Sequence, residues 1–370
     1  MRDDARLLSL KIALSAMGLA AQHLRGRRRP FIINHLVTVR CNLACPFCYV
    51  SGPEQREFNQ LHYGKRTEMS TEEMRQLYRQ LVARNFKIAV VLGGEPLLRA
   101  DLGEILRELR GHLYVTLFTN GYLLAERVEM VESVTNLFVS LDAPDREHDQ
   151  LRAQPGVFER AMAGIDRVRR RFPSIRVALN MTVTEKNARR VPEMIRFARE
   201  LALPVGFQPP SHSGQFTVGD RPHRESEALL PAQAAVADAF RAVRDASDRG
   251  ERIIGSRAFF SLVIDGVRRY PCTYPAYVLG PVLPNGDVVG CTESRVIGNV
   301  RSPGLDAVLD GGALADNAGR GQSCPHGCRD WGIHDLSAVS DGRFDLNDAR
   351  HYYSAFVSNP RLPVTRDAPR

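Results

Sequence analysis

The chain alternates short apolar runs with stretches in which apolar residues recur at three- and four-residue spacing, from residue 31 to about residue 208. Short apolar runs bounded by polar residues predict buried strands, and the wider spacing predicts helices with one face on a sheet. The clearest helix begins with the capping-box pattern of Ser70 and Glu73 and continues with an apolar stripe from Met74 to Val82. Further helices are predicted over about 102–110, 124–133, 157–171, 189–201 and 231–246.

Six strand–helix units fit between Phe31 and Gln208. Alternation of this kind is typical of a parallel sheet covered by helices, and six units are fewer than the eight of a closed TIM barrel. We therefore predict an α/β fold built on a partial (β/α)6 TIM-like barrel. In such a barrel the functional residues are expected at the carboxyl ends of the strands.

The predicted organisation has five parts. An N-terminal amphipathic helix covers 1–30, the barrel covers 31–210, and a connector with one helix completes the core over 211–265. A β-hairpin and a helix form a small C-terminal domain over 266–335, and 336–370 is a tail.

Composition and charge narrow the class of protein. The chain has 370 residues, 44% of them hydrophobic, which suffices to bury a barrel core and a smaller appended domain. Its net charge of +8 would suit nucleic acid, an anionic substrate or a membrane surface. Basic and aromatic residues are not interleaved as in RNA-binding modules, so we predict a solvated basic surface and no nucleic acid partner.

The pattern of residues 5–29 predicts an amphipathic helix that ends in a basic run. This helix either packs on the barrel or contacts a membrane surface near a lipid-like substrate. Lys11 interrupts the apolar stretch, which disfavours a secretory signal, and an oxidising compartment would not suit free thiolates. We predict a cytoplasmic protein, peripheral to the membrane under the second interpretation.

Seven cysteines fall into two groups. Cys41, Cys45 and Cys48 lie in the run CNLACPFCY, directly after the strand predicted over 31–40. Three thiolates can hold a four-iron cluster and leave one iron open. The alternatives are a zinc site or a redox-active dithiol, although a zinc site normally has a fourth local ligand.

This run resembles the cluster loop of the radical S-adenosylmethionine (SAM) superfamily, in which an aromatic residue, here Phe47, precedes the third cysteine. The resemblance implies a [4Fe–4S] cluster whose open iron is chelated by the amino and carboxylate groups of SAM. One electron from the cluster then cleaves SAM to a 5′-deoxyadenosyl radical. The resemblance also implies that Phe47 lies near the adenine.

A second match to this superfamily is the apolar run from Val90 that ends in Gly93, Gly94, Glu95 and Pro96. It resembles the family segment that receives the SAM amino group. Two glycines let a backbone approach a ligand closely, and Glu95 supplies a counter-charge for an ammonium group. The alternative is an ordinary exit from a strand into a turn with a solvated glutamate.

Polar residues also end the later strands, as expected at the mouth of a barrel. Thr119 and Asn120 end the strand that begins near residue 113, and we predict that they belong to the cofactor site. Asn180 and Thr182 lie on the fifth strand between apolar neighbours. They either contact the cofactor or bond to one another.

Three further residues match the superfamily by position. The resemblance implies that Ser140 and Asp142 bind the SAM ribose, whose diol suits a hydroxyl and a carboxylate. It also implies that Arg152 meets the SAM carboxylate, as in some family members. The alternatives are a helix cap for Asp142 and a solvated charge on a helix face for Arg152.

The second group of cysteines comprises Cys272, Cys291, Cys324 and Cys328, and a hairpin turn is predicted at 284–287 between the first two. A hairpin flanked by cysteines resembles the twitch region, a short relative of the SPASM domain. The resemblance implies a second, auxiliary [4Fe–4S] cluster with four thiolate ligands. A closed structural zinc site is the alternative.

We therefore predict a radical SAM enzyme that takes a hydrogen from its substrate and oxidises the substrate radical through the auxiliary cluster. The reaction would be a dehydrogenation or a cross-link in a natural product or peptide, with a flavodoxin- or ferredoxin-type reductant. The alternative reaction is redox-neutral carbon–carbon bond formation on a lipid or secondary metabolite. A non-enzymatic alternative is an iron–sulfur electron carrier or a zinc scaffold. No segment the size of a leader-binding winged helix precedes the first strand, which disfavours a peptide without excluding it.

Overall fold

The computed structural model describes residues 29–210, 229, 231–267, 269–290, 295–324, 328–340, 343, 345, 348 and 349. All but the last residue of the helix predicted over 5–29 lies outside the described residues. So do Cys291, one of the four downstream cysteines, and nearly all of the tail.

Strands and helices alternate as the sequence predicts. The strands are β1 (Ile32–Leu36), β2 (Ile88–Leu92), β3 (Tyr114–Thr119), β4 (Asn136–Ser140), β5 (Arg176–Thr182), β6 (Val205–Gln208), β7 (Ile253–Ile254), β8 (Val278–Val282), β9 (Asp287–Val289) and β10 (Val296–Asn299). The α-helices are α1 (Pro53–Tyr63), α2 (Thr71–Ala83), α3 (Leu102–Arg107), α4 (Glu147–Leu151), α5 (Val157–Arg171), α6 (Val191–Glu200), α7 (Gln233–Asp248), α8 (Arg257–Ile264), α9 (Tyr274–Tyr277), α10 (Leu305–Asp310), α11 (Gly312–Arg320) and α12 (Trp331–Ser340). Short 3₁₀ turns lie at Pro96–Leu98, Val128–Val131, Ala188–Arg190 and Gly321–Ser323, and a π turn lies at Val300–Gly304.

One sheet runs through the described residues in the order β10-β9-β8-β1-β2-β3-β4-β5-β6-β7. Strands β1 to β7 are parallel to their neighbours, and the two ends of the sheet do not pair. The predicted partial barrel is confirmed, with the two-residue strand β7 added beyond the sixth unit.

The predicted hairpin of the downstream cysteine region is formed by β8 and β9. Strand β8 pairs in parallel with β1, so that Ile32 lies opposite Val278, and β9 and β10 follow in antiparallel order. The hairpin turn contains Gly286 at φ +90°, a conformation that glycine adopts without strain. The hairpin therefore continues the barrel sheet, and the region shares hydrogen bonds with the first barrel strand.

The two faces of the parallel sheet differ in burial. Residues that point to the outer helices are fully buried, among them Ile33, Ala89, Val115 and Leu117. On the concave face, Asn34, Val90 and Thr116 align across neighbouring strands, and several positions keep partial access to solvent. The main apolar core therefore lies between the sheet and its helices, and the concave face is left for the site.

Helix α2 shows how local sequence decides an element. The Ser70 amide donates to Glu73 Oε2 at 2.7 Å, and the Glu73 amide donates to Ser70 Oγ at 3.3 Å, which confirms the capping box. Its predicted stripe is buried at Met74, Leu77 and Tyr78.

Two helix predictions need correction. The helix predicted over 124–133 is wrong: the segment holds only a 3₁₀ turn, because bonds such as Met130 N–H to Arg127 O, at 3.0 Å, close shorter rings. Its apolar positions, including Leu124 and Val128, are buried as the periodicity implies. The connector over 211–265 contains α8 as well as the one predicted helix, because Ser256 caps a second apolar run by accepting from the Phe259 amide at 3.0 Å.

Among the helices within the described ranges, none combines the length and the apolar character needed to cross a bilayer.

Candidate active site

The first cysteine group lies in the loop that follows β1. Cys41, Cys45 and Cys48 are thiols without a disulfide, and they share an apolar cluster with Phe47 and its neighbours. The amide of Leu43 donates to Cys41 Sγ at 3.4 Å. The amides of Val50 and Ser51 donate to Cys48 Sγ at 3.4 and 3.2 Å. The loop therefore presents three sulfurs and points backbone donors at two of them.

Burial is the main influence on these thiols. It raises the pKa of Cys41 to about 12, with a further rise from the charge of Cys48. Burial likewise raises the pKa of Cys45 to about 11, although the charge of Arg152 opposes it. Iron binding would have to displace the protons of these thiols. Among the described residues, no three possible metal ligands are already gathered at coordination distances.

The glycines of the second motif pack against the protein's own backbone. A Cβ at Gly93 would lie 2.4 Å from Thr38 O, and a Cβ at Gly94 would lie 2.2 Å from Arg40 O. The Gly94 amide donates to Thr38 O at 2.7 Å, and the Glu95 amide donates to Arg40 O at 2.8 Å. The close approach that was predicted for these glycines is thus made to the chain leading into the cysteine loop.

Glu95 is fully buried and accepts three hydrogen bonds. They come from the Leu97 amide at 3.0 Å, the Thr119 hydroxyl at 2.8 Å and the Asn120 amide at 2.7 Å. Burial raises the pKa of Glu95 to about 6 despite these donors. Its carboxylate therefore joins the ends of β2 and β3, and Pro96 begins the 3₁₀ turn that follows.

Asn120 connects this junction to the cysteine loop. Its side-chain nitrogen lies 3.0 Å from Asn42 Oδ1 and 3.7 Å from Cys41 Sγ, and its side-chain oxygen accepts from the Tyr122 amide at 2.9 Å. Asn120, predicted at the cofactor site, is therefore held against the first cysteine.

Asp142 and Arg152 form a buried ion pair. Arg152 Nε donates to Asp142 Oδ2 at 2.5 Å, with side-chain exposures of 10% and 0%, so Arg152 is not a solvated helix-face charge. Arg152 also lies 3.9 Å from Cys45 Sγ, and its guanidinium carbon is 5.1 Å from the centre of the Phe47 ring. The pair thus ties the end of β4 to the cysteine loop, and Asp142 is not a helix cap.

Two residues that sequence reasoning missed hold this pair in place. The Asp142 amide donates to His148 Nδ1 at 3.0 Å, and burial lowers the pKa of His148 to about 4, so the ring is a neutral acceptor. Asn187 Nδ2 donates to the backbone oxygens of Asp142 and Thr182 at 3.0 and 2.9 Å. The Thr182 amide in turn donates to Asp142 Oδ1 at 2.9 Å. Only the tertiary contacts reveal His148 and Asn187.

Ser140, at the end of β4, and Asn180, two residues before the end of β5, lie opposite each other on the concave face. Ser140 keeps partial access to solvent, whereas Asn180 is buried. Asn180 Oδ1 accepts from the indole N–H of Trp331 at 3.5 Å. Trp331 was not among the predicted site residues.

Three of the downstream cysteines lie within the described residues, and two of them contact one short segment. The amides of Cys272 and Cys324 both donate to Gly321 O, at 2.9 and 3.4 Å. The Tyr270 hydroxyl donates to Cys328 O at 2.9 Å, and Ser337 Oγ lies 3.7 Å from Cys272 Sγ. The fold therefore gathers these cysteines into one region, on the hairpin side of the barrel.

Comparison with known proteins agrees with this arrangement. Residues 36–198 match the Radical SAM superfamily. The AdoMet-dependent heme synthase of Methanosarcina barkeri is 34% identical over 194 residues, which are 50% of this chain and 52% of that protein. The PqqA peptide cyclase of Gluconobacter oxydans is 28% identical over 285 residues, 74% of this chain and 73% of the cyclase. The chain thus spans about half the length of the heme synthase.

The fold is also similar to that of a solved structure. Streptococcus suis SuiB bound to S-adenosylmethionine superposes with a TM-score of 0.56 at 16% identity, over 78% of this chain and 68% of SuiB. A likeness at this identity concerns the fold. The cysteine loop and the polar strand ends both lie within residues 36–198, the segment that matches the radical SAM superfamily.

Proposed function

We propose that this chain is a radical SAM enzyme that modifies a peptide by removing a hydrogen and oxidising the resulting radical. The observation that carries the proposal is the arrangement around Arg152. One buried guanidinium meets the cysteine loop at Cys45 and Phe47 and the end of β4 at Asp142. This arrangement joins a three-thiol loop to polar strand ends, which an electron carrier would not need.

The superfamily implies a [4Fe–4S] cluster and SAM, and the residues present fit them. Three thiols on one loop, two of them accepting from backbone N–H donors, suit a cluster with one iron open. With one electron from a flavodoxin- or ferredoxin-type reductant, cluster and SAM would supply methionine and a 5′-deoxyadenosyl radical. Cys41, Cys45 and Cys48 would hold the cluster.

The roles of the other residues follow from their burial. Asp142 is inaccessible and already accepts from Arg152 and Thr182, which supports a role in positioning Arg152 rather than direct contact with the ribose. Ser140 keeps access and is the better candidate for a ribose hydroxyl. Arg152 would pair with the SAM carboxylate through guanidinium nitrogens other than the Nε that Asp142 holds. Glu95 would act mainly by fixing Asn120 beside Cys41.

A second [4Fe–4S] cluster on Cys272, Cys291, Cys324 and Cys328 would accept the electron that the substrate radical gives up. Per turnover, one electron enters with the reductant, the substrate loses one hydrogen atom to 5′-deoxyadenosine, and it then loses one electron and one proton. Support for the site comes from Cys272 and Cys324, which both donate to Gly321 O, and from Cys328, whose carbonyl accepts from Tyr270. The product would be lighter by two hydrogens.

The peptide substrate is inferred from the relatives. The match to the PqqA peptide cyclase extends well beyond the radical SAM domain, to 74% of this chain. SuiB has also been solved bound to its precursor peptide SuiA, with a TM-score of 0.58 to this chain. These likenesses favour a peptide over a lipid-like or other small-molecule substrate.

The first test is the iron and zinc content of the anaerobically reconstituted protein. Two clusters predict about eight irons, falling to about four in the variant with Cys41, Cys45 and Cys48 all replaced by Ala. Formation of 5′-deoxyadenosine from SAM with dithionite should occur in the wild type and vanish in that variant. No SAM cleavage by a fully loaded wild type would overturn the enzyme proposal in favour of an electron carrier or scaffold.

A second candidate function is redox-neutral carbon–carbon bond formation. About four irons with zinc retained in the wild type would favour it, because a zinc site cannot accept an electron. The product would then gain the mass of the joined partner instead of losing two hydrogens.

A further inference from the structure

Three aromatic side chains form a continuous stack on the concave face of the sheet. Phe118 and Phe138 lie opposite each other on β3 and β4, with ring centres 4.6 Å apart and an interplanar angle of 11°. Trp331 continues the stack, 5.5 Å from Phe138 at 30°. We call these three residues the aromatic shelf.

The aromatic shelf lies just below the predicted cofactor level. Ser140 follows Phe138 by two residues on the same face of β4, a step of about 7 Å. The indole N–H of Trp331 reaches Asn180, which is paired with Ser140 across the sheet. A group seated on the shelf would therefore lie beneath the strand ends that are proposed to hold SAM.

The position of Trp331 is set by helix α12, which it begins. Asp335 accepts from the Ser256 amide at 2.9 Å and from the Ser256 hydroxyl at 2.5 Å. Ser340 Oγ donates to Thr273 Oγ1 at 2.8 Å. At position 206 a Cβ would lie 3.1 Å from the indole nitrogen, so the glycine on β6 leaves room for the ring. The fold thus anchors the helix at its middle and at its C-terminal end and leaves space for the indole.

The aromatic shelf is less completely buried than the hydrophobic core on the other face of the sheet. Phe138 is 1% exposed, but Phe118 and Trp331 on either side keep partial access to solvent, unlike the fully buried residues on the outer face of the same strands. A further aromatic ring can extend such a stack by offset stacking on Phe118 or Trp331, the two outer members. Asn180 and Thr116 are the polar neighbours on the same face of the sheet.

We propose that the aromatic shelf binds an aromatic side chain of the substrate, which makes Trp331 a specificity-determining residue supplied by the region that carries the downstream cysteines. This inference rests on the proposed function and adds the class of side chain that the substrate presents. It also explains why α12 begins three residues after Cys328 and returns to the barrel interior.

Because Trp331 is the only tryptophan in the sequence, fluorotryptophan labelling gives one fluorine NMR resonance from the shelf. The reconstituted holoenzyme would be titrated with N-acetyl-phenylalaninamide and, separately, with N-acetyl-alaninamide. We expect a saturable shift with the phenylalanine amide and none with the alanine amide. Phe118→Leu should lower the affinity for the phenylalanine amide about 2- to 12-fold, which corresponds to the loss of one aromatic pair.

The matched control is Val339→Ala, because Val339 lies on the same helix and is 55% exposed. It should leave the affinity for the phenylalanine amide unchanged. The proposal is overturned if neither amide shifts the resonance, if both shift it equally, or if Phe118→Leu binds like the wild type. The same samples are assayed for 5′-deoxyadenosine: cleavage without probe binding refutes the shelf alone, and probe binding without cleavage refutes the proposed function alone.

Discussion

The buried pair of Arg152 and Asp142 provides the sharpest prediction, because both charges are withdrawn from solvent. Asp142 is fully buried, and Arg152 Nε lies 2.5 Å from its carboxylate. Removing one partner of such a pair leaves an uncompensated charge in the interior and typically costs about 3–5 kcal/mol. Arg152→Met keeps most of the apolar stem, so it should lower the free energy of unfolding by about that amount.

The second arm of this test is a double-mutant cycle. Asp142→Asn alone leaves the buried charge of Arg152 without its carboxylate, whereas Asp142→Asn combined with Arg152→Met removes both charges. The double variant should therefore be less destabilised than the sum of the two single variants, by about 2–3 kcal/mol. The free energies come from urea unfolding of each variant followed by circular dichroism under identical anaerobic conditions.

An exposed pair serves as the control. Arg110 and Glu132 lie 2.8 Å apart with side-chain exposures of 51% and 42%. Solvent screens such a pair, so Arg110→Met should change the free energy of unfolding by about 1 kcal/mol or less. Additive single-variant effects at Arg152 and Asp142, or an Arg152→Met effect no larger than that of Arg110→Met, would refute the reasoning.

Three more outcomes are expected in unfolding experiments. Burial lowers the pKa of His35 from 6.5 to about 3, so only the unfolded state takes up this proton as the pH falls from 7 to 5. The free energy of unfolding should fall by about 2 kcal/mol between pH 7 and pH 5, and His35→Gln should remove this part of its pH dependence. The same pH dependence in His35→Gln as in the wild type would contradict the prediction. Gly94→Ala should lower the free energy of unfolding by about 3 kcal/mol, because the new Cβ would clash with the Arg40 carbonyl oxygen. Gly312→Ala is the control and should not destabilise the protein, because a Cβ there meets nothing within 4 Å. Equal effects of the two substitutions would show that the chain around Gly94 relaxes to remove the clash. Ser70→Ala should cost about 1 kcal/mol through the lost helix cap, and a change below about 0.3 kcal/mol would argue against it.

The alternation of strands and helices, the capping box of α2 and the cysteine loop after β1 were predictable from the sequence. Each depends on neighbours along the chain: the period of apolar residues, the residues three positions apart at a helix start, and the spacing of three thiols. The polar strand ends were predictable too, because parallel strands place their carboxyl ends at one edge.

What those side chains do at that edge was decided by tertiary structure. The sequence marks Gly93, Gly94 and Glu95 as ligand-facing, yet the glycines are packed on the chain before the cysteine loop, and the glutamate is occupied by donors from β3. Such contacts join segments distant in sequence, and no local periodicity records them.

The same reason explains the features that sequence reasoning missed. His148 and Asn187 act on Asp142 across loops, and Trp331 enters the concave face from a helix that follows the last cysteine. The sequence by itself determined the elements and the residue types available for chemistry. Only the packing of the sheet, with β8 joined to β1 and α12 turned inward, determined which of those residues meet, because long-range contacts form only when the whole chain is folded.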